Sequence, residues 1–331
     1  MVRKLVQVAQ KVGVSEATVS RVLNGKPGVS DSTRQAVLTA LDVLGYERPT
    51  QLRGVRARLV GLVLPELQNP IFPALAEVAG GALVQLGFTP VLCTRAAGGL
   101  TEAEYVTMLL DQQVSGVIFC GGLTEDESAT LKERGVPVVM LNAAVDHGGF
   151  PQVSTDDVAA VQQAYAHLTS LGHTRIGLLV GPADHTPSRR KATAFTTLAT
   201  RSPAGRTAHP IGHAIFSFEG GQAVATELLT TGITALICGS DILALGAIRA
   251  ARRHGLTVPH HLSVVGYDDS AFMNYTDPPL TTLRQPIEAM SRAAVTLLAN
   301  QINGTNPTPK ELLHEPELVV RHSTAPAPAR Q

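Results

Sequence analysis

Apolar and polar residues follow one another in two different patterns along this chain. Over the first 45 residues, apolar side chains recur at helical spacing, which predicts amphipathic helices. Gly13 separates the first two apolar stripes, and the turn-forming stretch NGKPGVS precedes the third. This part of the chain is therefore expected to form a small bundle of three helices. The stripes are Val8, Ala9 and Val12; Val19, Val22 and Leu23; and Val37, Leu38, Leu41 and Leu44.

From Leu59 onward the pattern changes to short apolar runs, each followed by a helical stretch. The runs are LVGLVLP, TPVLC, SGVIFC and VPVVML, and then RIGLLVG, AHPIGHAI, ALICGS and LSVVGYDD. Continuous apolar runs are typical of buried parallel strands, and strands that alternate with helices form doubly wound sheets. Two series of runs predict two lobes. After them, TDPPLTTLRQP breaks the alternation, a helix is expected at 288–301, and the terminal STAPAPARQ is expected to be frayed.

These patterns divide the 331 residues into a head, a linker and a body. The head covers residues 1–45, and the linker covers residues 46–58. The body covers residues 59–331 and contains both lobes. We assign lobe 1 to about 59–157 and 286–312, and lobe 2 to about 158–285 and 313–323. The expected fold class is thus α plus α/β.

Charge and cysteine content narrow the class of protein. The formal net charge is zero, yet residues 1–58 carry a net +6 and the rest a net −6. A small basic head on an acidic body indicates an anionic partner for the head. The chain has no apolar run of membrane-spanning length and no signal-peptide core. Its three cysteines lie far apart, which is typical of reduced thiols. We therefore expect a cytoplasmic protein.

The second predicted helix carries more polar residues than packing requires. Val19 and Val22 point inward, which leaves Arg21 and its polar neighbours on the outer face. Ser15 can cap the helix, whose free N–H groups then favour a phosphate, while Thr18 and Ser20 suit phosphate oxygens. Arg21 can bond a guanine edge in the major groove. A helical cap on the body, with a solvated polar face, would explain the same pattern without DNA.

A long stretch of the head resembles a known family. VAQKVGVSEATVSRVLNGKPGVSDSTRQAVLTALDVLGY is similar to the head of LacI-type bacterial transcription regulators, with Val12 where Ala is usual. The body resembles the same family through NPIF, SLGHTRIGLLVG, GSDILALGAIRAARRHGLTVPHHLSVVGYDDS and PPLTTLRQP. The resemblance implies a helix-turn-helix head of three helices. It also implies a two-lobed body, like periplasmic binding proteins, built from doubly wound parallel sheets.

The resemblance assigns roles to the residues of the head. It makes residues 16–23 the recognition helix, with Glu16, Ala17 and Arg21 facing bases. Thr18, Ser20 and Asn24 would then lie nearer the DNA backbone, and Ser15 would cap the helix beside a phosphate. We expect the partner to be a near-palindromic double-stranded operator bound by a homodimer.

The linker departs from the family pattern. YERPTQLRGVRARLVG is a little shorter than usual, has Thr50 after Pro49, and is interrupted by Gly54. In the family this segment folds into a hinge helix that inserts a leucine into the minor groove. Two interpretations stay open here. Either Leu52 or Val55 is the inserting wedge, or the arginines Arg53, Arg56 and Arg58 follow the phosphates or the narrow groove.

The body is expected to bind a small-molecule effector between its lobes. In doubly wound sheets, ligands bind beyond the carboxyl ends of the strands. Asp268 suits hydroxyl recognition there, and Phe72 can stack on a ring. At Lys191 the family typically has Arg, so the planar fork of that side chain is lost. A sugar is the expected effector, with a purine or another metabolite left open. The candidate effector residues are Phe72, Asn142, Lys191, Phe216, Ser240, Asp268 and Gln285.

Other function classes find little support in the sequence. Nucleotide-binding and nucleophile-elbow motifs are absent, so we expect no enzyme and no cofactor. His209 and His213 are four residues apart, but they fall in a predicted strand, so no metal site is expected. The family is mostly made of repressors, which is the expectation here. The alternative is a sugar-binding protein without a regulatory role, which would need a signal peptide and a neutral N-terminus.

Overall fold

A computed structural model describes residues 2–23, 28–43, 58–94, 102–143, 149–201, 209–305 and 311–328 of the chain. The chain divides into two compact units, Met1–Arg58 and Leu59–Gln331. Linker residues 46–57, with Leu52, Arg53, Val55 and Arg56, lie outside the described residues. The domain and lobe limits given above stay predictions.

The N-terminal unit is a bundle of α1 (Val2–Val12), α2 (Glu16–Leu23) and α3 (Asp31–Val43). Its core consists of Val8 and Ala9 from α1, Val19 and Val22 from α2, and Val37 and Ala40 from α3. Gly13 adopts a φ of 73°, a conformation that costs glycine little. The chain can therefore turn sharply after α1, and the Val14 N–H donates to the Ala9 carbonyl over 3.0 Å. The predicted helix-turn-helix head is confirmed.

The body begins with alternating strands and helices, as the apolar runs predicted. In chain order the first elements are β1 (Leu59–Leu64), α4 (Ile71–Gln85), β2 (Thr89–Thr94), α5 (Glu102–Asp111), β3 (Gly116–Phe119), α6 (Glu125–Glu133), β4 (Val138–Leu141) and β5 (Gln152–Thr155). These strands belong to one sheet, which we call sheet 1.

A second alternating series follows and ends in two short strands. Its elements are α7 (Asp157–Ser170), β6 (Ile176–Val180), α8 (Thr186–Arg201), β7 (Ile211–His213), α9 (Phe218–Thr230), β8 (Ala235–Cys238), α10 (Asp241–Arg253), β9 (Ser263–Asp268), β10 (Thr281–Arg284), α11 (Ile287–Ile302), β11 (Glu311–His314) and β12 (Glu317–Val319). Most of these strands form sheet 2, whereas β11 belongs to sheet 1.

Both sheets are doubly wound, so each has helices packed on both faces. The order in sheet 1 is β11-β5-β4-β3-β1-β2, and all of its described neighbours are parallel. The order in sheet 2 is β12-β10-β9-β8-β6-β7, in which β12 runs antiparallel to β10. Helices α4 and α11 cover one face of sheet 1, while α5 and α6 cover the other. Sheet 2 lies between α9 and α10 on one face and α7 and α8 on the other.

The segment TDPPLTTLRQP contains a strand rather than only a break in the pattern. Thr281–Arg284 forms β10, which pairs with β9 and β12. Thr281 and Thr282 are fully buried although they are polar. The Thr282 hydroxyl donates to Asp241 Oδ1 over 2.6 Å, and that of Thr281 accepts from the Arg321 N–H over 2.9 Å. Partners elsewhere in the sequence satisfy these threonines, which is why local apolar pattern did not indicate the strand.

The Pro- and Ala-rich end is not frayed over residues 323–327, so that expectation was wrong. Ser323 is fully buried, and its hydroxyl donates to the Val264 carbonyl over 2.6 Å and accepts from the Thr281 N–H over 2.8 Å. Further on, the Ala325 N–H donates to Ser263 Oγ, and the Ala327 N–H donates to the Leu171 carbonyl. These hydrogen bonds fix the segment against β9, β10 and the end of α7 despite its small side chains.

We expect Ser323→Ala to destabilise the body. Removing this hydroxyl leaves the buried Thr281 N–H and Val264 carbonyl without their partner, which costs about 1–3 kcal/mol for each unsatisfied group. Calorimetric unfolding of the full chain measures the effect. The control is Ser170→Ala, at an exposed serine whose hydroxyl bonds within its own helix. Equal melting temperatures for the two variants would contradict a fixed C-terminal segment.

Candidate functional site

The outer face of α2 is polar and solvent-exposed. Ser15 Oγ accepts the Thr18 N–H over 3.1 Å and so caps the helix. Val19 and Val22 are fully buried, whereas Glu16, Ala17, Ser20 and Arg21 are exposed. Thr18 is half-buried, with its hydroxyl 2.9 Å from Ser15 Oγ. The structure thus brings the predicted base-facing residues together on one surface.

This surface is suited to DNA by its geometry. A single helix that is anchored by valines on one side can enter the major groove with the other. The phosphate contact at its N-terminal N–H groups and the base contact of Arg21 stay predictions. Asn24, Arg53 and Arg56 lie outside the described residues.

The body contains a cavity of about 610 Å³, at the carboxyl ends of strands from both sheets. This volume is in the range of pockets that hold small ligands. All of the predicted effector residues line it, namely Phe72, Asn142, Lys191, Phe216, Ser240, Asp268 and Gln285. Asn142 and Gln285 directly follow β4 and β10, Asp268 ends β9, and the others lie at or near the starts of helices. Their common location follows from the parallel topology, in which strand ends share one edge.

Asp268 presents a carboxylate oxygen that no group among the described residues satisfies. The side chain is buried, and its Oδ1 accepts from Gln285 Nε2 over 2.6 Å. Its Oδ2 has no hydrogen-bond partner. The backbone at Asp268 adopts a φ of 117°, a conformation that is strained for a non-glycine residue and recurs at functional sites. A ligand hydroxyl is a natural donor for Oδ2.

Burial also raises the pKa of Asp268 well above its usual range, and the nearby Asp241 carboxylate raises it further. Asp241 itself is buried, and it accepts bonds from the Thr282 hydroxyl over 2.6 Å and the Ser270 N–H over 2.7 Å. Burial raises its pKa to about 6. Asp269 differs, because Arg284 and Arg321 bind its two oxygens. The structure therefore separates Asp268, which faces the cavity, from its neighbour, which is paired with arginines.

Lys191 is the cation of the SRRKATAF segment that reaches the cavity. Its Nζ lies 2.5 Å from Asp157 Oδ1 and 4.0 Å from the centroid of the Tyr267 ring. The Tyr267 hydroxyl donates to the same Asp157 oxygen over 2.9 Å. Of the other two cations, Arg190 pairs with Glu311, and Arg189 is exposed. Sequence reasoning missed Asp157 and Tyr267; Asp157 follows β5, which has no long apolar run.

Aromatic rings and capping groups complete the wall. The Phe216 and His185 rings pack edge to face at 5.4 Å. A Cβ at Gly181 would lie 2.2 Å from the Phe216 ring, so glycine is needed there. Burial and the Lys191 charge lower the pKa of His185 to about 4, which keeps it neutral. Ser240 caps α10 by accepting the Leu243 N–H over 3.3 Å.

The arrangement suits binding rather than covalent chemistry. It combines ring faces with acceptors and donors, the mixture that polar ligands with apolar faces require. Within the described ranges, no group of three or more His, Cys, Asp or Glu residues could hold a metal ion. In the same ranges, no helix is long and apolar enough to span a membrane.

Comparison with known proteins decides the family. Residues 4–49 match the profile of bacterial regulatory proteins of the lacI family, and residues 165–324 match that of a periplasmic binding protein-like domain. The HTH-type transcriptional regulator reg1 of Streptomyces lividans is 50% identical, over 100% of this chain and 99% of its own. The chain belongs to the LacI family.

Solved structures of LacI-family regulators share the fold over nearly the whole chain. The lac repressor dimer bound to operator and an anti-inducer is 29% identical, covers 96% of this chain and 98% of its own, and has a TM-score of 0.77. The regulator CelR in complex with cellobiose is 33% identical, with 96% and 99% coverage and a TM-score of 0.71.

The protein is thus a DNA-binding transcriptional regulator, and regulators of the LacI family are not enzymes. The alternative of a solute-binding protein is overturned by the matching head, which residues 4–49 provide.

Burial of Asp241 predicts that the stability of the body depends on pH. Because the folded-state pKa of Asp241 is raised above its ordinary value of about 3.9, its protonated form contributes stability below pH 4. That contribution, up to about 3 kcal/mol, is lost as the pH rises through about 6. Asp241→Asn cannot ionise, so its melting temperature should rise relative to the wild type between pH 4 and 7.

The control for this measurement is Asp277→Asn, at a carboxylate whose side chain is 94% exposed. The pH-dependent rise should be specific to Asp241→Asn. A constant difference between Asp241→Asn and the wild type from pH 4 to 7 would contradict the raised pKa of Asp241.

Proposed function

We propose that the protein is a transcriptional repressor whose operator affinity is controlled by a sugar bound in the cavity of the body. It acts as a homodimer in the cytoplasm, where its DNA partner lies. The observation that carries the ligand part of this proposal is Asp268, a buried residue of the cavity wall whose Oδ2 has no hydrogen-bond partner among the described residues.

Sugar recognition fits the chemistry of the cavity. Sugar hydroxyls need acceptors such as Asp268 and Asn142, and the apolar faces of sugar rings need surfaces such as Phe72 and Phe216. The solved relative CelR was determined in complex with cellobiose, and another relative, from Enterococcus faecium, with bound ribose. Cellobiose and ribose are uncharged carbohydrates, and they are the first probes to use.

The DNA part of the proposal depends on the exposed face of α2. Two heads related by twofold symmetry would bind two half-sites of a near-palindromic operator. The lac repressor relative was solved as a dimer bound to operator. A ligand changes operator affinity only if it binds the DNA-bound and DNA-free states differently. Closure of the lobes around a sugar is the expected source of that difference.

We expect Asp268→Asn to lose the response to sugar while it retains DNA binding. Asparagine can still accept from Gln285 at one position, but it puts an amide donor where the ligand needs an acceptor. The measurement is the thermal shift of the full chain with neutral sugars, followed by operator affinity with and without each active sugar. Asp277→Asn, an exposed carboxylate, is the matched control. A normal sugar response in Asp268→Asn, or stabilisation by purines alone, would contradict the proposal.

We expect Arg21→Ala to lose about 1–3 kcal/mol of discrimination between operator and unrelated DNA, since a bidentate guanine contact supplies that much. Operator fragments are first selected from random DNA with the wild-type protein, and affinities are then compared at fixed salt. Arg134→Ala, an exposed body arginine, changes the net charge equally and should keep its selectivity. If Arg21→Ala weakens binding to operator and to unrelated DNA equally, Arg21 contacts only phosphates, and the base-reading role is contradicted.

A further inference from the structure

The cation at the cavity wall is already neutralised within the protein. Lys191 and Asp157 are each only 6% exposed, and their charged atoms lie 2.5 Å apart. Tyr267 holds both partners, because its hydroxyl donates to Asp157 and its ring face lies against the Lys191 ammonium. Turning Lys191 toward a ligand would break a buried ion pair, which is strongly unfavourable.

The other ionisable groups of the wall do not attract anions. Among the described lining residues, Glu66 and Asp184 are acids, Asp268 is an acid whose pKa is raised well above its usual range by burial, and Lys191 is paired with Asp157. His185 is neutral at physiological pH because burial and Lys191 lower its pKa to about 4. Within this part of the wall, an anionic ligand would therefore find no cation that is not already paired inside the protein.

We propose that Asp157 is a specificity-determining residue that restricts the cavity to uncharged ligands and excludes phosphorylated or acidic ones. Asp157 acts by holding and neutralising Lys191 rather than by touching the ligand. This inference rests on the proposed function for the identity of the ligand as a sugar. The charge rule itself concerns the wall and can be tested with anions that are not sugars.

Three variants of the full chain isolate the charge of Asp157. Asp157→Asn leaves Lys191 without its counter-ion. The matched control is Asp156→Asn, the same change at the preceding residue, which caps α7 by accepting the Val158 and Ala159 N–H groups. Asparagine caps helices as well as aspartate does. The double variant Asp157→Asn with Lys191→Gln removes both charges and reports whether any gain depends on the freed cation.

The first measurement uses inorganic phosphate and no sugar. Phosphate stabilises proteins in general and can bind the basic head, so the variants are compared with one another. We expect the melting temperature of Asp157→Asn to rise more with phosphate than those of the wild type, the Asp156→Asn control and the double variant. An equal rise in all four proteins would overturn the proposal.

The second measurement compares each neutral sugar with its phosphate ester by calorimetry, with cellobiose against cellobiose 6-phosphate and ribose against ribose 5-phosphate. In the wild type, the ester should bind at least about tenfold more weakly than its parent, and Asp157→Asn should narrow that ratio by about tenfold. An ester that binds the wild type as tightly as its parent would overturn the charge rule but leave a sugar effector standing. Failure of every sugar would refute the proposed function alone, because the phosphate measurement still decides the charge rule.

Discussion

The parallel direction of the strands determines where the cavity of the body lies. Buried parallel strands need helices on both faces, so their connections run from one end of the sheet over a face to the other. The carboxyl ends of β1, β3 and β4 in sheet 1 and of β6, β8 and β9 in sheet 2 therefore lead into loops that line one cavity. Asn142, Ser240 and Asp268 line this cavity because each lies at such an end or within two residues of it, and Gln285 does so directly after β10.

Burial at that cavity determines how its charges behave. Asp268 keeps one oxygen without a partner, while Asp241 behind it is satisfied by Thr282 and Ser270. Burial raises the pKa of both carboxyls, and the charge of Asp241 raises that of Asp268 further. Lys191 is neutralised within the wall by its ion pair with Asp157. The wall thus offers hydrogen-bond acceptors and donors to a ligand. In contrast to the basic head, the wall itself has little net positive charge.

The architecture could be predicted from the sequence wherever the apolar pattern of a single element indicates its type. Strands that are buried on both faces have continuous apolar runs, which predicted β1, β3, β4, β6, β8 and β9. Helices that are buried on one face have apolar residues at helical spacing, which predicted the head. The candidate residues of the cavity followed from the ends of those runs. The strand β10 and the segment 323–327 escaped, because distant partners satisfy Thr281, Thr282 and Ser323. Asp157 escaped for a related reason, since its importance lies in a contact with Lys191, 34 positions away.

Control of DNA binding by a ligand in this cavity requires a coupling between head and body that is reciprocal by thermodynamic necessity. The most direct measurement is a calorimetric titration of an active sugar into the free chain and into the operator-bound chain. We expect the two dissociation constants to differ by about fivefold or more, by the same factor with which the sugar changes operator affinity. Equal dissociation constants in the two titrations would contradict a ligand-controlled regulator.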